Sequence, residues 1–421
     1  MTSLQTSAEP VWLRVGRLFD GRSHAVQYDA HLVYTADRIL HVGGLPPPGV
    51  VRAGQTEPDL VLPEHTVLPG LIDAHTHLFL EGGEKNPTKR AEYLTLPPDE
   101  LLRRAEARLE RLVRIGVTAV REAGDKIDVG SRLQRRWRSA QRGVMPYVDA
   151  PGAAINHQGR YGSFMSRPME EQGSPEATVA ERIAGGAHRI KLLATGIINF
   201  EEGAVTAKPQ MDVGELTAFA DASRARGKQT MVHCSGNDGV ANCIAACVDS
   251  IEHGYFIDAT QLAQMRDLDI AWVPTFAPVQ FQVDHADMLG WSDVVTGNLQ
   301  RILEGHAKSL THAAKIGVRI VAGSDSGSHG VAHGWGFVKE LELMQQAGLS
   351  AAQVLRSATG ASGERLDYSE NFGTLTAGAK ARFILTDGEV LADVGALRRL
   401  KTVVFDGAVY EGNDDEEEPG L

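Results

Sequence analysis

Two histidines separated by a single residue, His75 and His77 in the run Val67-Leu68-Pro69-Gly70-Leu71-Ile72-Asp73-Ala74-His75-Thr76-His77-Leu78, supply the first chemistry in this chain. On an extended strand, residues i and i+2 share a face, so the two imidazoles point the same way and can grip one divalent metal. A helix would turn the same two rings about 200° apart, which makes the spacing useful only on a strand. Comparable residues recur downstream. Lys191 stands alone in the otherwise apolar Ile190-Lys191-Leu192-Leu193-Ala194, Met231-Val232 leads into His233, Ile251-Glu252 into His253, and Ala322-Gly323-Ser324 into Asp325. Each of these has a plain structural alternative as a satisfied polar group at a strand end. Taken together, four histidines, a lysine and an aspartate at the ends of expected strands point to a metal centre.

The elements that must position them read as a βα alternation. Strands are expected at 67–77, 119–122, 145–150, 189–194, 230–234, 250–253, 270–276 and 319–324, with helical patterns between most of them. In 98–115, for instance, Leu101, Ala105, Leu109, Leu112 and Val113 fall on one face. Eight such units predict an α/β fold, a (β/α)8 TIM-type barrel. The helix-to-strand joints are short and place Gly116, Gly227 and Gly317 where a helix C-cap would want glycine. The strand-to-helix joints are long, at 79–96, 156–174, 195–211 and 276–292. Long irregular segments are uncommon unless functional, and barrels of this class work at the C-terminal ends of their strands. Both chain ends consist of short β-rich pieces broken by turns. They are expected to pair into a small β-sandwich from 1–66 and 361–421 beside a barrel over 67–360, with the acidic tail near 413–421 disordered.

Composition sets outer limits. The 421 residues are 43% hydrophobic and 23% charged, as in soluble globular proteins. No apolar run has the length of a membrane span, and 1–10 lacks the basic and apolar regions of a secretory signal. Three clustered cysteines, Cys234, Cys243 and Cys247, suit reduced thiols and predict a cytoplasmic location; Cys234, next to a candidate ligand, is expected to face away and pack. The net charge of −12 argues against nucleic acid as a partner.

The order H-x-H, lysine on strand four, histidine on five and six, and aspartate on eight resembles the amidohydrolase superfamily. More narrowly, V-L-P-G-L-I-D-A-H-T-H-L, I-K-L-L-A-T-G, D-S-I-E-H-G and G-S-D-S-G are similar to its imidazolonepropionase-related, prolidase-like branch, which includes dipeptidases, carboxypeptidase-like enzymes and ochratoxin-hydrolysing amidases. The runs at 13–21 and 373–381 resemble the branch's sandwich domain. Two stretches depart from it. Cys234-Ser235-Gly236 stands where the branch usually has Ala-His-Gly, and Ile155-Asn156-His157-Gln158-Gly159-Arg160-Tyr161 where a Gly-Gly-His-Gly loop is frequent. Both fall where substrate would sit.

The resemblance implies two divalent metal ions, zinc foremost with manganese and cobalt left open, bridged by a carbamate on Lys191. His75, His77 and Asp325 would hold one ion, His233 and His253 the other. Burial among cations favours the neutral amine that such a carbamate requires. A metal-bridging hydroxide would then attack an amide, with Asp325 as proton shuttle. Deaminases of the superfamily carry a glutamate three residues after the strand-five histidine; Gly236 stands there, which argues against that chemistry. The expected substrate is a small molecule, a dipeptide or N-acyl amino acid with a free C-terminal carboxylate. A cyclic amide or lactone is the alternative, a metal-free scaffold the remote one. His157, Arg160, Tyr161, Tyr255 and His329 are candidate substrate contacts, 79–96 a candidate lid, and the related enzymes suggest a homo-oligomer.

Overall fold

Two chain ends and a long middle separate cleanly in the computed structural model, which describes residues 7–140, 142–366, 371–387 and 389–412. The acidic tail at 413–421 lies outside the described residues. The N-terminal strands are β1 (Val11–Phe19), β2 (Val26–Tyr34), β3 (Ile39–Gly43) and β4 (Leu60–Pro69). The barrel strands are β5 (Leu71–Thr76), β6 (Val117–Glu122), β7 (Tyr147–Asp149), β8 (Ala154–Asn156), β9 (Ser166–Pro168), β10 (Arg189–Leu193), β11 (Gln229–Cys234), β12 (Ser250–His253) and β13 (Ala271–Val273). The chain closes with β14 (Arg382–Asp387), β15 (Leu400–Phe405) and β16 (Ala408–Glu411).

The small domain expected from both chain ends is one continuous seven-stranded sheet, ordered β16-β15-β14-β4-β1-β2-β3. Strand β4 joins the ends, running parallel to β1 and antiparallel to β14. The far edge folds back: Ile39 donates to the Ala379 carbonyl at 2.8 Å and Gly378 to the Ile39 carbonyl at 2.8 Å. The sheet thereby wraps one apolar core that includes Leu13, Leu32, Tyr34, Phe383 and Val404. The boundary expected at 66/67 falls inside β4, whose Pro69 still pairs with Phe383 of β14. Downstream, Ala361 packs with Ala74, Ala271, Val273 and Val321 of the barrel, beyond the boundary expected at 360/361.

The single strand expected at 67–77 is two strands. Gly70 divides them, and a Cβ there would lie 2.3 Å from Thr118 Cγ2, so only glycine lets the chain pass from the sheet into the barrel at this point. Strands β5-β6-β7 and β13-β12-β11-β10-β8-β9 form two parallel arcs. Expected strand three, at 145–150, is β7, which pairs with β6; after Gly152 at φ +70° a further strand, β8, pairs with β10. The ring closes through the expected eighth strand. Val321 donates to Trp272, Ala74 to Ala322 and Asp325 to His75, at 2.9, 3.0 and 2.7 Å. Helices α1 (Pro87–Tyr93) and α2 (Pro98–Arg114) follow β5, and α2 buries the face read from the sequence together with Arg108. Gly317 caps the helix Asp293–Ile316 in the left-handed conformation at φ +86°, as its position predicts. No helix among the described residues is long and apolar enough to cross a membrane.

Closure is tight at Gly323, where an added Cβ would meet Val273 Cγ1 at 2.6 Å and His75 Cβ at 2.7 Å. Gly305, exposed within the helix Asp293–Ile316, has no atom within 4 Å of such a Cβ. Gly323→Ala should therefore destabilise by about 1–3 kcal/mol through overpacking, whereas Gly305→Ala should stabilise by about 0.5–1 kcal/mol. Thermal unfolding of the two variants beside the parent checks the opposite signs.

Candidate metal centre

Six side chains from five barrel positions converge on one cavity of about 220 Å³ at the C-terminal ends of the strands: His75, His77, Lys191, His233, His253 and Asp325. His75 lies in β5 and His77 just past its end, their ring centroids 5.6 Å apart. Both Nε2 atoms face Asp325 Oδ1, at 3.6 and 3.4 Å. Lys191 and His233 come from paired strands two registers apart, since Lys191 is opposite Met231 and Leu193 opposite His233. The His233 and His253 rings are 4.6 Å apart, and those of His75 and His253 4.9 Å apart. Ligand atoms of His75, His253 and Asp325 lie within 4.8 Å of one another, close enough to share a cation.

The donor set suits a metal. His75 Nδ1–H donates to Glu252 Oε2 at 2.7 Å, which leaves the Nε2 lone pair for a ligand bond. That Nε2 and Asp325 Oδ1 are buried without a hydrogen-bond partner among the described residues. Burial, reinforced by the neighbouring Lys191, holds His77 and His233 down to about 3, and it holds His75 and His253 well below the usual imidazole range. The neutral imidazole this favours is the form that binds metal. Burial also lowers Lys191 to about 8, against the pull of Glu252 and Asp325, so its amine is readily available uncharged. Burial raises Asp325 to about 7, a cost that a bound cation would offset.

The backbone at this rim is unusual. His253, Thr275 and Asp325, at the ends of three successive strands, have φ of +69°, +52° and +57°. Non-glycine residues adopt such values at a cost of order 1–3 kcal/mol each, and surrounding bonds must hold them. Here Thr275 Oγ1 lies 2.7 Å from His253 Nδ1, and Trp272 Nε1–H donates to the His253 carbonyl at 2.9 Å. Glu340 accepts from the Phe276 and Ala277 amides at 2.9 and 2.7 Å and so pins the turn after Thr275. Asp73 accepts from the Ser324 amide at 2.9 Å and its hydroxyl at 2.5 Å, which fixes the residue before Asp325.

The expected substrate contacts divide. Tyr161, Tyr255 and His329 line the cavity. The Tyr161 ring lies 5.0 Å from that of His233, whereas Tyr255 donates its hydroxyl to the Thr275 carbonyl at 3.0 Å, and His329 Nε2 is 2.7 Å from the Lys85 carbonyl. His157 and Arg160 are not among the cavity's lining residues. His157 is held between Glu170 and Glu215 at 2.7 and 3.1 Å, and Arg160 donates to the Lys208 carbonyl at 2.7 Å. A residue already engaged by two carboxylates has little left for a third. Glu201 and Glu202 are exposed and also outside the lining. His333 stands behind the site, Nε2 3.1 Å from the His77 carbonyl. Cys234 packs in the barrel core, as expected of a residue facing away.

Sequence reasoning missed Glu252, Thr275 and Arg90. Strand alternation places Glu252 opposite its neighbour His253, hence away from the site. The register pairs Glu252 with His233, so both face the barrel interior, and the positive φ at His253 turns that residue inward as well. Nothing in the local sequence announces the turn. Arg90 was overlooked because it sits in a loop helix, but it is a cavity-lining cation and a long loop after a ligand strand was the available signal.

Comparison with known proteins agrees with this geometry. Residues 66–410 match the model of the amidohydrolase family, and the chain belongs to that family. An uncharacterized protein of Mycobacterium tuberculosis is 26% identical over 312 residues, covering 72% of this chain and 76% of that one. The ochratoxinase of Aspergillus niger is 22% identical over 396 residues, covering 84% and 76%. A solved Xaa-Pro dipeptidase with methionine bound in its active site superposes with a TM-score of 0.79 at 26% identity, covering 96% of this chain and all of that one.

Glu252→Gln keeps size and removes the charge that orients His75. Loss of such an orienting partner costs about 10–100-fold in metal affinity. Titration of the metal-loaded variant against a competing chelator should show that weakening, with far-UV circular dichroism unchanged. Undiminished affinity would remove Glu252 from the site.

Proposed function

We propose that this amidohydrolase cleaves an amide or peptide bond next to a free carboxylate, releasing an amino acid from a dipeptide or an N-acyl amino acid. The observation that carries the reading is the convergence of the six donors on one cavity, with His75 Nε2 and Asp325 Oδ1 buried and unbonded. His75, His77 and Asp325 would hold one divalent ion and His233 and His253 a second, with Lys191 as the carbamate between them. Zinc suits this mixture of imidazole and carboxylate. Such ions supply an acidified water and an electrophile for the substrate carbonyl.

The chain's own residues supply the rest. Asp325 would help hold an ion and would also carry the proton, taking it from the attacking water and returning it to the leaving nitrogen. Glu252 keeps His75 in the tautomer whose Nε2 is free. The cavity, about 220 Å³ and walled in part by apolar side chains, suits a small substrate. The likeness to a dipeptidase that binds methionine and to an ochratoxinase supports an amide substrate with an amino-acid product.

A panel of dipeptides and N-acyl amino acids, each beside its C-terminal amide, tests the reading on zinc-loaded protein. Free acids should be cleaved with kcat/KM at least about tenfold above their amides, the worth of a charge-assisted contact. Equal values, or turnover confined to cyclic amides and lactones, would reject it. Asp325→Asn should keep part of its metal while kcat falls about 100-fold or more. Lys191→Ala should lose metal as well as activity, and short carboxylic acids should restore part of both; a fully active, fully loaded Lys191→Ala protein would exclude the carbamate.

A further inference from the structure

Of the expected substrate contacts, His157 and Arg160 are engaged outside the cavity, yet the cavity contains a cation that the metal set does not use. Arg90 lies on α1, in the segment that follows β5, and lines the cavity beside Tyr161, Asp325 and His329. Its NH1 donates to the Glu81 carbonyl at 2.7 Å. No hydrogen bond from its Nε or NH2 and no ion pair to a carboxylate is formed among the described residues. A guanidinium presents five donors, so most of Arg90's capacity faces the cavity unspent. Burial lowers its pKa, with Asp325 and Glu81 pulling the other way, so a cation is being held in a partly dry place. Holding it there is favourable when an anion completes the site.

The other side chains narrow the ligand further. Leu80, Phe164, Ile197, Phe200, Pro278 and Val279 form an apolar wall, and Asp325 is the sole carboxylate among the lining residues. A basic side chain would find no partner there apart from the residue needed for metal and proton. An aromatic or branched aliphatic side chain would bury its surface.

Resting on the amide-hydrolase reading, we infer that Arg90 is the specificity-determining residue that takes the substrate's free carboxylate, and that the wall beside it selects a large apolar residue at the released end. The fork of the guanidinium matches a carboxylate bidentately, which an ammonium cannot do, so lysine is a poor replacement. The segment that carries Arg90 is braced from the barrel: Arg108 of α2 donates to the Leu78 carbonyl at 2.8 Å and to Glu81 Oε2 at 3.0 Å.

The probes are Leu-Phe, Leu-Phe-amide and Leu-Lys, with zinc-loaded parent, Arg90→Met and Arg90→Lys. In the parent, Leu-Phe should exceed both Leu-Phe-amide and Leu-Lys in kcat/KM by at least about tenfold. In Arg90→Met the acid-over-amide ratio should fall at least about tenfold towards unity, with the loss mainly in KM, and Arg90→Lys should recover only part of it. Equal losses on acid and amide would assign Arg90 to loop support and overturn the inference; so would a parent that prefers Leu-Lys. If the parent cleaves none of the three, calorimetric binding of phenylalanine decides the residue separately from the hydrolytic reading. Tight binding weakened at least about tenfold by Arg90→Met would still assign the carboxylate to Arg90. Equal binding by the two proteins, or none, would reject it.

Discussion

Glu252, a carboxylate with no exposed surface, is bonded on one side to the first histidine of the metal set and on the other to a buried guanidinium. Oε2 accepts from His75 at 2.7 Å, while Oε1 accepts from Arg121 NH2 at 3.2 Å and from Ser250 Oγ at 2.5 Å. The rest of the interior follows from having to keep this charge in place. An unpaired carboxylate here would cost several kcal/mol, so the barrel carries matching cations beneath the site. Arg121 is one, lowered to about 10 by burial and by the nearby Arg189. Arg189 in turn forms a two-pronged pair with Asp149, at 2.6 and 2.5 Å, and caps the Arg365 carbonyl. The barrel is thus filled by an ionic network where an apolar core would have been simpler. Its gain is orientation: the candidate ligand His75 is aimed by a residue that is itself fixed on two sides.

The same logic explains where the backbone is bent. A strand can send only alternate residues inward, and a site of this density needs more than that from strands six to eight. Positive φ at His253, Thr275 and Asp325 supplies the extra inward positions. Each bend is held by a bond from a different element, from Trp272 to the His253 carbonyl, from Glu340 to the amides after Thr275, and from Asp73 to Ser324. Gly323 admits the closing strand against His75. The candidate ligands are therefore set by the barrel frame, and the strain is located at the rim of the candidate site.

What could be read from the sequence follows the regular parts of this frame. His75, His77, Lys191, His233, His253 and Asp325 were legible because strand period and βα order place them on one rim without any knowledge of detail. Gly70 hid the division of the first strand, since its apolar flanks run on unbroken while the reason for the break, Thr118 pressed against it, lies 48 residues away in sequence. Glu252 was hidden by a positive φ that strand alternation does not foresee. His157 and Arg160 were read from the joint 156–174, whose partners Glu215 and Lys208 come from other segments, and side-chain type says nothing of prior engagement. Local periodicity carries the chemistry of this protein; contacts distant in sequence decide its tuning.

Those two levels are physically separable in the molecule. The candidate metal donors stand on or directly after strands, while the cavity's apolar and cationic walls come from the segments after β5, β8, β10 and β13. The segment after β5 is tied to the barrel through Arg108 and to the segment after Asp325 through His329 and the Lys85 carbonyl at 2.7 Å. These ties fasten the stretch 78–85 that leads into α1. None of those ties involves a metal donor's ring nitrogen or carboxylate. Substitutions along 79–96 can consequently reshape what is admitted without touching what hydrolyses it.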